Sequence, residues 1–118
     1  MKKILVLDDD ADILVLMQMT LTMHDFVVEA ISRWEDIDDS IAKFNPDLIL
    51  LDVSLNGADG RDICKKIKQA QDTSHIPVIL FSANVEMGNN FQNFCAQAFI
   101  AKPYELSHLL QTIRLNLN

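Results

Sequence analysis

Residues 47–60, DLILLDVSLNGADG, constrain the fold of this chain more than any other stretch. Four consecutive apolar residues, 48–51, follow Pro46, which has no backbone N–H and moves the residue before it out of the helical conformation. An apolar run of this length between breakers predicts a short strand buried on both faces, as in a parallel sheet covered by helices. Asp52 lies where that strand ends, and glycines place a loop directly after it. Because open α/β sheets bind ligands outside the carboxyl ends of their strands, Asp52 is a candidate for chemistry as well as an ordinary solvated side chain.

The rest of the chain alternates between short apolar runs and helical segments. The other predicted strands are Lys3–Leu7, Phe26–Ile31, Ile76–Phe81 and Ala98–Ala101. The predicted helices are residues 12–24, a polar helix from Ser32 or Arg33 to about Phe44, residues 60–70, a weak Asn-rich helix over 84–96, and Glu105–Leu117. This alternation of five strands and five helices predicts an α/β domain with a parallel sheet and right-handed crossovers.

Composition places the chain among globular proteins of one domain and argues against several functions. With 118 residues, of which 49% are hydrophobic and 23% charged, the chain can form its own core. The net charge of -7 argues against nucleic-acid binding by this domain and against binding to anionic membranes, because both require a basic patch. No apolar run has the length of a signal peptide or a transmembrane helix. Cys64 and Cys95 lack metal-type spacing and favour a reducing compartment, so we expect a cytoplasmic location.

Four of the five predicted strands are followed by a chemically useful side chain at the same edge of the sheet. These side chains are Asp8 and Asp9, Asp52, Ser82 and Lys102. Neighbouring strands lie about 4.8 Å apart, so adjoining first and third strands would crowd their carboxylates together. Two such charges about 5 Å apart repel by roughly 3 kcal/mol at an effective dielectric constant near 20. Either one carboxyl group stays protonated or a cation is recruited.

The chemistry of this set of residues points to phosphoryl transfer onto a carboxylate. The cluster offers hard oxygen ligands, which suit Mg²⁺, a cation that keeps several waters and shares its shell with a phosphate. Lys102 supplies a positive charge and Ser82 a hydroxyl donor for an incoming phosphoryl group. Asp52 is then the carboxylate nucleophile.

The segments LVLDDD, LLDVSLNGADG, LFSAN and AFIAKPY, in this order and spacing, resemble the receiver domain of two-component response regulators. The resemblance covers residues 2–117 and implies one CheY-like receiver domain over residues 1–118, with no effector domain among them. It implies a flavodoxin-like (βα)5 three-layer sandwich with a parallel sheet in the order 2-1-3-4-5. It also implies a signalling phosphoprotein that is not an enzyme on external substrates but assists its own phosphorylation and dephosphorylation.

Carried over by position, the resemblance implies a role for each acidic residue. Asp52 is the expected phosphoacceptor and one of the Mg²⁺ ligands. Asp9 is expected to bind the metal directly and Asp8 mainly through water. The backbone carbonyl of Ser54 would complete the protein's share of the metal ligands.

The resemblance also implies a conformational switch. Ser82 is the expected switch hydroxyl, Phe99 the switch aromatic and Lys102 the lysine that contacts the phosphate. A cis peptide bond is expected between Lys102 and Pro103. The surface formed by the fourth helix, fifth strand and fifth helix is the expected output face, with candidate contacts at Phe91, Phe94 and Tyr104.

A histidine kinase or a histidine phosphotransfer protein is the phosphodonor that the resemblance implies, and the output partner is left open. Helix 12–24 carries more apolar residues than a single buried stripe of about 100° needs. Some of these residues would therefore be exposed, or all would be packed inside: Ile13, Leu14, Leu16, Met19 and Met23. If exposed, Ile13 and Leu16 are the expected contacts for the phosphodonor.

Three positions depart from the family's usual pattern, and none removes a catalytic group. Asn56 stands where Pro is common, Cys95 where Gly is usual, and Phe99 where Tyr is commoner. A hydrolase that forms an aspartyl phosphate typically has a second Asp two residues after its nucleophile, where this chain has Ser54. A flavin- or nucleotide-binding module would have a Gly- or hydroxyl-rich loop after the first strand, where this chain has aspartates. The remaining alternative is a degenerate receiver that acts as a phosphorylation-independent interaction domain.

Overall fold

A computed structural model of the chain describes residues 1–89, 93 and 96–117. Its strands are β1 (Lys3–Leu7), β2 (Val27–Ile31), β3 (Leu48–Asp52), β4 (Ser54–Leu55), β5 (Ala58–Asp59), β6 (Val78–Ser82) and β7 (Ala98–Ala101). Its α-helices are α1 (Ala11–Met23), α2 (Ile37–Phe44), α3 (Gly60–Gln69) and α4 (Leu106–Asn116). Short 3₁₀ helices cover Trp34–Asp36 and Val85–Gly88.

Five parallel strands form the central sheet in the order β2-β1-β3-β6-β7. The two-residue strands β4 and β5 pair with each other outside this sheet. Counted over the five sheet strands alone, the order is 2-1-3-4-5. The predicted flavodoxin-like fold is therefore confirmed.

Both faces of the sheet are covered, and alternate side chains of each strand point to opposite layers. In β1, Ile4 and Val6 belong to the core cluster that includes residues of α1 and α4. Leu5 and Leu7 belong to the opposite cluster, which includes residues of α2 and α3. All residues of β3 and β6 are buried, which explains why these strands read as unbroken apolar runs.

Two of the four α-helices described, α1 and α3, begin with an aspartate whose side chain caps the helix. The Asp10 side chain accepts hydrogen bonds from the backbone N–H groups of Asp12 and Ile13 at the start of α1. Asp59 caps α3 in the same way by accepting from the Arg61 N–H at 2.8 Å.

Several element bounds differ from the sequence prediction. The predicted strand Ile76–Phe81 is observed as Val78–Ser82, because the Ile76 N–H is used in a turn with the Thr73 carbonyl and Pro77 has no N–H. The polar helix before Phe44 begins as the 3₁₀ helix Trp34–Asp36 and becomes α-helical only in α2.

The predicted helix over 84–96 is wrong for residues 84–89, where the structure has the 3₁₀ helix Val85–Gly88 followed by extended backbone at Asn89. Asn and Gly favour caps and turns over helix interiors, and the Asn84 side chain indeed caps this short helix by accepting from the Glu86 N–H at 3.0 Å. The predicted contacts Phe91 and Phe94, and also Cys95, lie outside the described residues.

Between β3 and α3 the chain forms a small hairpin that the sequence analysis treats only as a loop. Strands β4 and β5 flank the turn Asn56–Gly57, and the Trp34 indole N–H donates to the Asn56 carbonyl at 3.1 Å. The hairpin leads directly into Gly60, whose N–H donates to the Val53 carbonyl at 2.8 Å. A Cβ atom at Gly60 would overlap the Asp52 carbonyl oxygen, so only glycine fits here.

Among the residues that the structure describes, no helix is both long enough and apolar enough to cross a membrane. Cys64 is buried in the core cluster shared with α2, where it packs as a small hydrophobic side chain.

Candidate functional site

The carboxyl ends of four strands bring the predicted polar residues to one edge of the sheet. Asp52 and Ser82 are the last residues of the adjacent strands β3 and β6. Asp8 follows β1, and Lys102 follows β7 with its N–H bonded to the Ser82 carbonyl at 2.8 Å. Because these strands are neighbours in the order β1-β3-β6-β7, the side chains converge.

Three carboxylates form the acidic part of the site. Oxygens of Asp8, Asp9 and Asp52 lie within 4.8 Å of one another. Asp8 and Asp52 are buried, and Asp9 is exposed. Two buried carboxylates and one that is open to solvent suit a hard divalent cation that keeps part of its water shell. The structure therefore offers a set of ligands suited to a divalent metal at the predicted place.

Lys102 provides the positive charge inside the acidic cluster. Its Nζ lies 2.9 Å from Asp8 Oδ2 and 3.6 Å from Asp52 Oδ2, and 4.6 Å from the centre of the Phe81 ring. Carboxylates crowded in this way need either a proton on one of them or a cation nearby. Lys102 supplies such a cation from within the chain, and its close pairing with Asp8 was not predicted.

The pKa of Asp52 is raised from 3.8 to about 6. Burial is the largest cause, and the nearby Asp8 charge adds to it. The Lys102 charge and the Ser54 N–H, which donates to Asp52 Oδ1 at 3.2 Å, act in the opposite direction. The Asp52 carboxylate is thus poorly solvated, and a cation bound beside it would favour its charged form.

The hydroxyl group of Ser82 is buried and has two neighbours. Its Oγ accepts a hydrogen bond from the Asn84 N–H at 3.1 Å. The same hydroxyl donates to the Met87 thioether at 3.6 Å, and the Ser54 hydroxyl donates to that sulfur at 3.5 Å. Sequence reasoning missed Met87, because a methionine in a weak helical segment gives no sign of contact with these serines.

Phe99, the predicted switch aromatic, is half-buried and packs against the core cluster on the α2–α3 side. Its ring lies so close to Gly88 that a Cβ atom there would overlap it. The peptide bond between Lys102 and Pro103 is cis, as predicted. Tyr104, predicted for the output face, is half-buried and donates its hydroxyl to the Met17 thioether at 3.2 Å.

The apolar surplus of α1 is divided between core and surface. Leu16 and Met19 are each 60% exposed, and Met23 is 78% exposed. Leu14 is buried in the core cluster, so the exposed residues of this set are the others on the outer face of the helix. Ile13 packs partly against the same cluster, so of the two predicted docking residues only Leu16 lies fully on the surface.

Comparison with known proteins agrees with this architecture. The sequence profile of the response regulator receiver domain matches residues 4–114, and the chain belongs to this family. It is 39% identical over 107 residues to the transcriptional regulatory protein ResD of Bacillus subtilis, covering 86% of this chain and 42% of ResD. The chain spans about half the length of the curated relatives it matches.

Solved structures agree in fold. The BeF3-activated N-terminal receiver domain of Klebsiella pneumoniae RstA has a TM-score of 0.88 at 28% identity, with 98% of each chain covered. The Thermotoga maritima response regulator TrrA, in complex with Mg²⁺-BeF, has a TM-score of 0.90 at 22% identity, with 99% of this chain and 100% of TrrA covered. The described chain therefore has the fold and family of a receiver domain of two-component response regulators, which is a signalling module.

Proposed function

We propose that Asp52 accepts a phosphoryl group from a histidine kinase or a histidine phosphotransfer protein. The observation that supports this most directly is the placement of Lys102 Nζ within 4 Å of both Asp8 and Asp52, beside a third carboxylate and the Ser82 hydroxyl. Opposite charges, a nucleophile and a hydroxyl donor at one sheet edge are the groups that phosphoryl transfer to a carboxylate requires.

In the proposed reaction, a carboxylate oxygen of Asp52 attacks phosphorus. A P–O bond forms while the P–N bond to the donor's imidazole breaks, and the imidazole keeps that electron pair and takes a proton from solvent. Lys102, already held at the site by Asp8, pairs with an oxygen of the transferred group. Ser82 turns its hydroxyl toward another of these oxygens.

The acidic cluster is proposed to bind Mg²⁺ through Asp8, Asp9 and Asp52 together with the Ser54 carbonyl. Bound there, Mg²⁺ neutralises charge on the phosphoryl oxygens. The all-oxygen ligand set and the exposed position of Asp9 support Mg²⁺ over a metal that prefers nitrogen or sulfur. The TrrA relative binds Mg²⁺ with a beryllium fluoride in the same fold.

The domain is proposed to assist its own phosphorylation and the later hydrolysis of the aspartyl phosphate, without acting on other substrates. The residue two positions after Asp52 is Ser54, whose N–H bonds the Asp52 carboxylate, so no second carboxyl group stands there as a general acid.

The proposed phosphodonor contact is the start of α1, with Leu16 at its exposed centre and Ile13 at its edge. Relatives include proteins named as transcriptional regulators, of which this chain matches about half, and the output partner of the present chain stays open. The net charge of -7 supports a receiver that does not itself bind nucleic acid. The cytoplasmic location remains a prediction.

The test is labelling with a small acyl phosphate in the presence of Mg²⁺. The protein should gain one phosphoryl group that hydroxylamine removes, and Asp52→Asn should abolish the gain. Asp39→Asn, which changes a carboxylate with a 69% exposed side chain in α2, is the matched control and should label normally. Omission of Mg²⁺ should slow labelling strongly.

Two results would overturn the proposal. Phosphate that maps to Ser54 or Ser82 would mean that the nucleophile is a hydroxyl. Failure of the folded wild-type protein to label from any acyl phosphate or histidine phosphodonor would favour the degenerate receiver, which interacts without phosphorylation.

A further inference from the structure

Met87 occupies a position between the two sides of the phosphorylation site. It lies in the 3₁₀ helix Val85–Gly88, half-buried against the core cluster on the α2–α3 side. Its sulfur accepts from the Ser82 hydroxyl at 3.6 Å and from the Ser54 hydroxyl at 3.5 Å. The thioether therefore joins the end of β6 to the segment that directly follows Asp52.

The contact with Ser82 competes with the proposed contact to phosphate. A serine hydroxyl has one proton to donate, so a proton directed at sulfur is not directed at a phosphoryl oxygen. The thioether is a weak acceptor, whereas a hydrogen bond to an anionic oxygen is short and strong. Arrival of a phosphoryl group would therefore draw the Ser82 hydroxyl away from Met87. The free-energy cost of this movement is the loss of the weak hydrogen bond to sulfur.

The next residue links Met87 to the switch aromatic. Gly88 touches the Phe99 ring so closely that a Cβ atom would overlap it, and Phe99 and Met87 pack against the same core cluster. Release of Met87 from Ser82 would thus remove one contact of the short helix that packs beside Phe99.

We propose that Met87 is a positioning residue that holds the Ser82 hydroxyl and the adjoining Ser54 in the resting arrangement and so limits formation of the phosphorylated state. The proposal rests on the function proposed for Asp52. It predicts that a side chain of similar size without an acceptor favours the phosphorylated arrangement.

The test compares Met87→Leu with wild type in labelling from a small acyl phosphate with Mg²⁺. Met87→Leu keeps the bulk but loses the acceptor, and should raise the rate of labelling and the apparent affinity for beryllofluoride about two- to threefold, the worth of a weak hydrogen bond. Val85→Ala, a 66% exposed position of the same 3₁₀ helix, is the control and should change neither quantity.

If the proposal is correct, the effect of Met87→Leu on labelling requires the Ser82 hydroxyl. In a Ser82→Ala background, Met87→Leu should have no further effect, because the hydroxyl is already gone. An equal gain in both backgrounds would overturn the positioning role and indicate a purely steric one. Unchanged labelling in Met87→Leu would also overturn it, while failure of the wild type to label at Asp52 would instead overturn the function on which it rests.

A spectroscopic measurement tests the contact between Met87 and the Ser82 hydroxyl without phosphorylation. In methyl-¹³C-methionine spectra of the metal-free protein, the Met87 signal is the one that disappears in Met87→Leu. Ser82→Ala should shift that signal and leave the signal of the distant, exposed Met23 in place. An unshifted Met87 signal in Ser82→Ala would overturn the proposal. Where Met87→Leu fails to fold, the signal that disappears in Met87→Gln identifies Met87 instead.

Discussion

The Asp52 side chain is buried beside Asp8 and Lys102, and its ionisation is therefore coupled to folding. Burial, reinforced by the Asp8 charge, raises the pKa of this carboxyl from 3.8 to about 6. Between these two pH values the folded protein keeps a proton that the unfolded chain has released. The contribution of Asp52 to the free energy of unfolding therefore falls as the pH rises from about 4 to 6, and its full penalty is present above about pH 6.

Asp52→Asn should remove this penalty. In the absence of metal, we expect the variant to be more stable than wild type by about 1–2 kcal/mol near neutral pH, after allowance for solvent screening. The difference should shrink as the pH falls and almost vanish near about pH 3, below both pKa values, where the wild-type carboxyl is protonated in the folded and the unfolded states. Urea unfolding with a chelator present measures both values, with Asp39→Asn as the control. A stability difference that stays constant with pH would contradict the raised pKa.

The residues of the site could be predicted from the sequence, but the contacts between their side chains could not. Asp8, Asp9, Asp52, Ser82 and Lys102 were predictable because each follows or ends an apolar run, and parallel strands deliver such residues to one edge. The pairing of Lys102 with Asp8 was not predictable, since it joins side chains 94 residues apart whose conformations depend on the folded site. The contacts of the Met87 sulfur with Ser54 and Ser82 could not be predicted for the same reason.

Among the elements, α1 offers the exposed apolar surface. Leu16→Glu should slow phosphoryl transfer from the phosphodonor protein by about tenfold, because a central apolar contact becomes charged. Transfer from a small acyl phosphate should stay unchanged, and the free energy of unfolding should change by less than about 0.5 kcal/mol. Ile13→Glu, placed partly against the core, should lower the stability as well. Equal slowing of both donors by Leu16→Glu would argue against docking at α1.

The elements also differ in how well their sequence predicts them. Helix α2 could be predicted because Ile37 and Ile41 recur on one buried face. Strands β4 and β5 have two residues each, too few for any periodicity, and only the Asn56–Gly57 pair signals their turn. The segment after Asn84 has a low helix propensity, but a linear pattern does not show its contacts with Phe99 and Ser82.

For the whole molecule, the proposed switch predicts a regional response to activation. Addition of Mg²⁺ and beryllofluoride should change hydrogen-exchange protection over residues 82–89 and 96–104 more than in α2 and α3. The reason is that phosphate contacts at Ser82 and Lys102 differ between the two states, and only such differences shift an equilibrium. Asp52→Asn should show no response. A change confined to the neighbourhood of the acidic cluster would mean that no switch reaches the β6–β7 edge.

At this scale the sequence established the class of fold more firmly than its details. Alternating apolar runs and helices predict a parallel α/β sheet, but the strand order came from resemblance to receivers rather than from periodicity. The two core clusters follow from the alternation along β1, in which Ile4 and Leu5 face opposite layers. What a linear pattern cannot encode is which side chains meet across neighbouring strands.

The contact between Gly60 and the Asp52 carbonyl has a consequence for how this sequence can vary. In a saturation library selected only for folded protein, position 60 should retain glycine, because every other side chain begins with the carbon that overlaps that oxygen. Asp52 itself should accept replacement in the same selection, since its carboxyl group costs stability when charged. In a selection for signalling, Asp52 should be retained as well, and glycine should still be retained at position 60. Backbone sterics therefore constrain position 60, whereas the proposed chemistry alone constrains position 52.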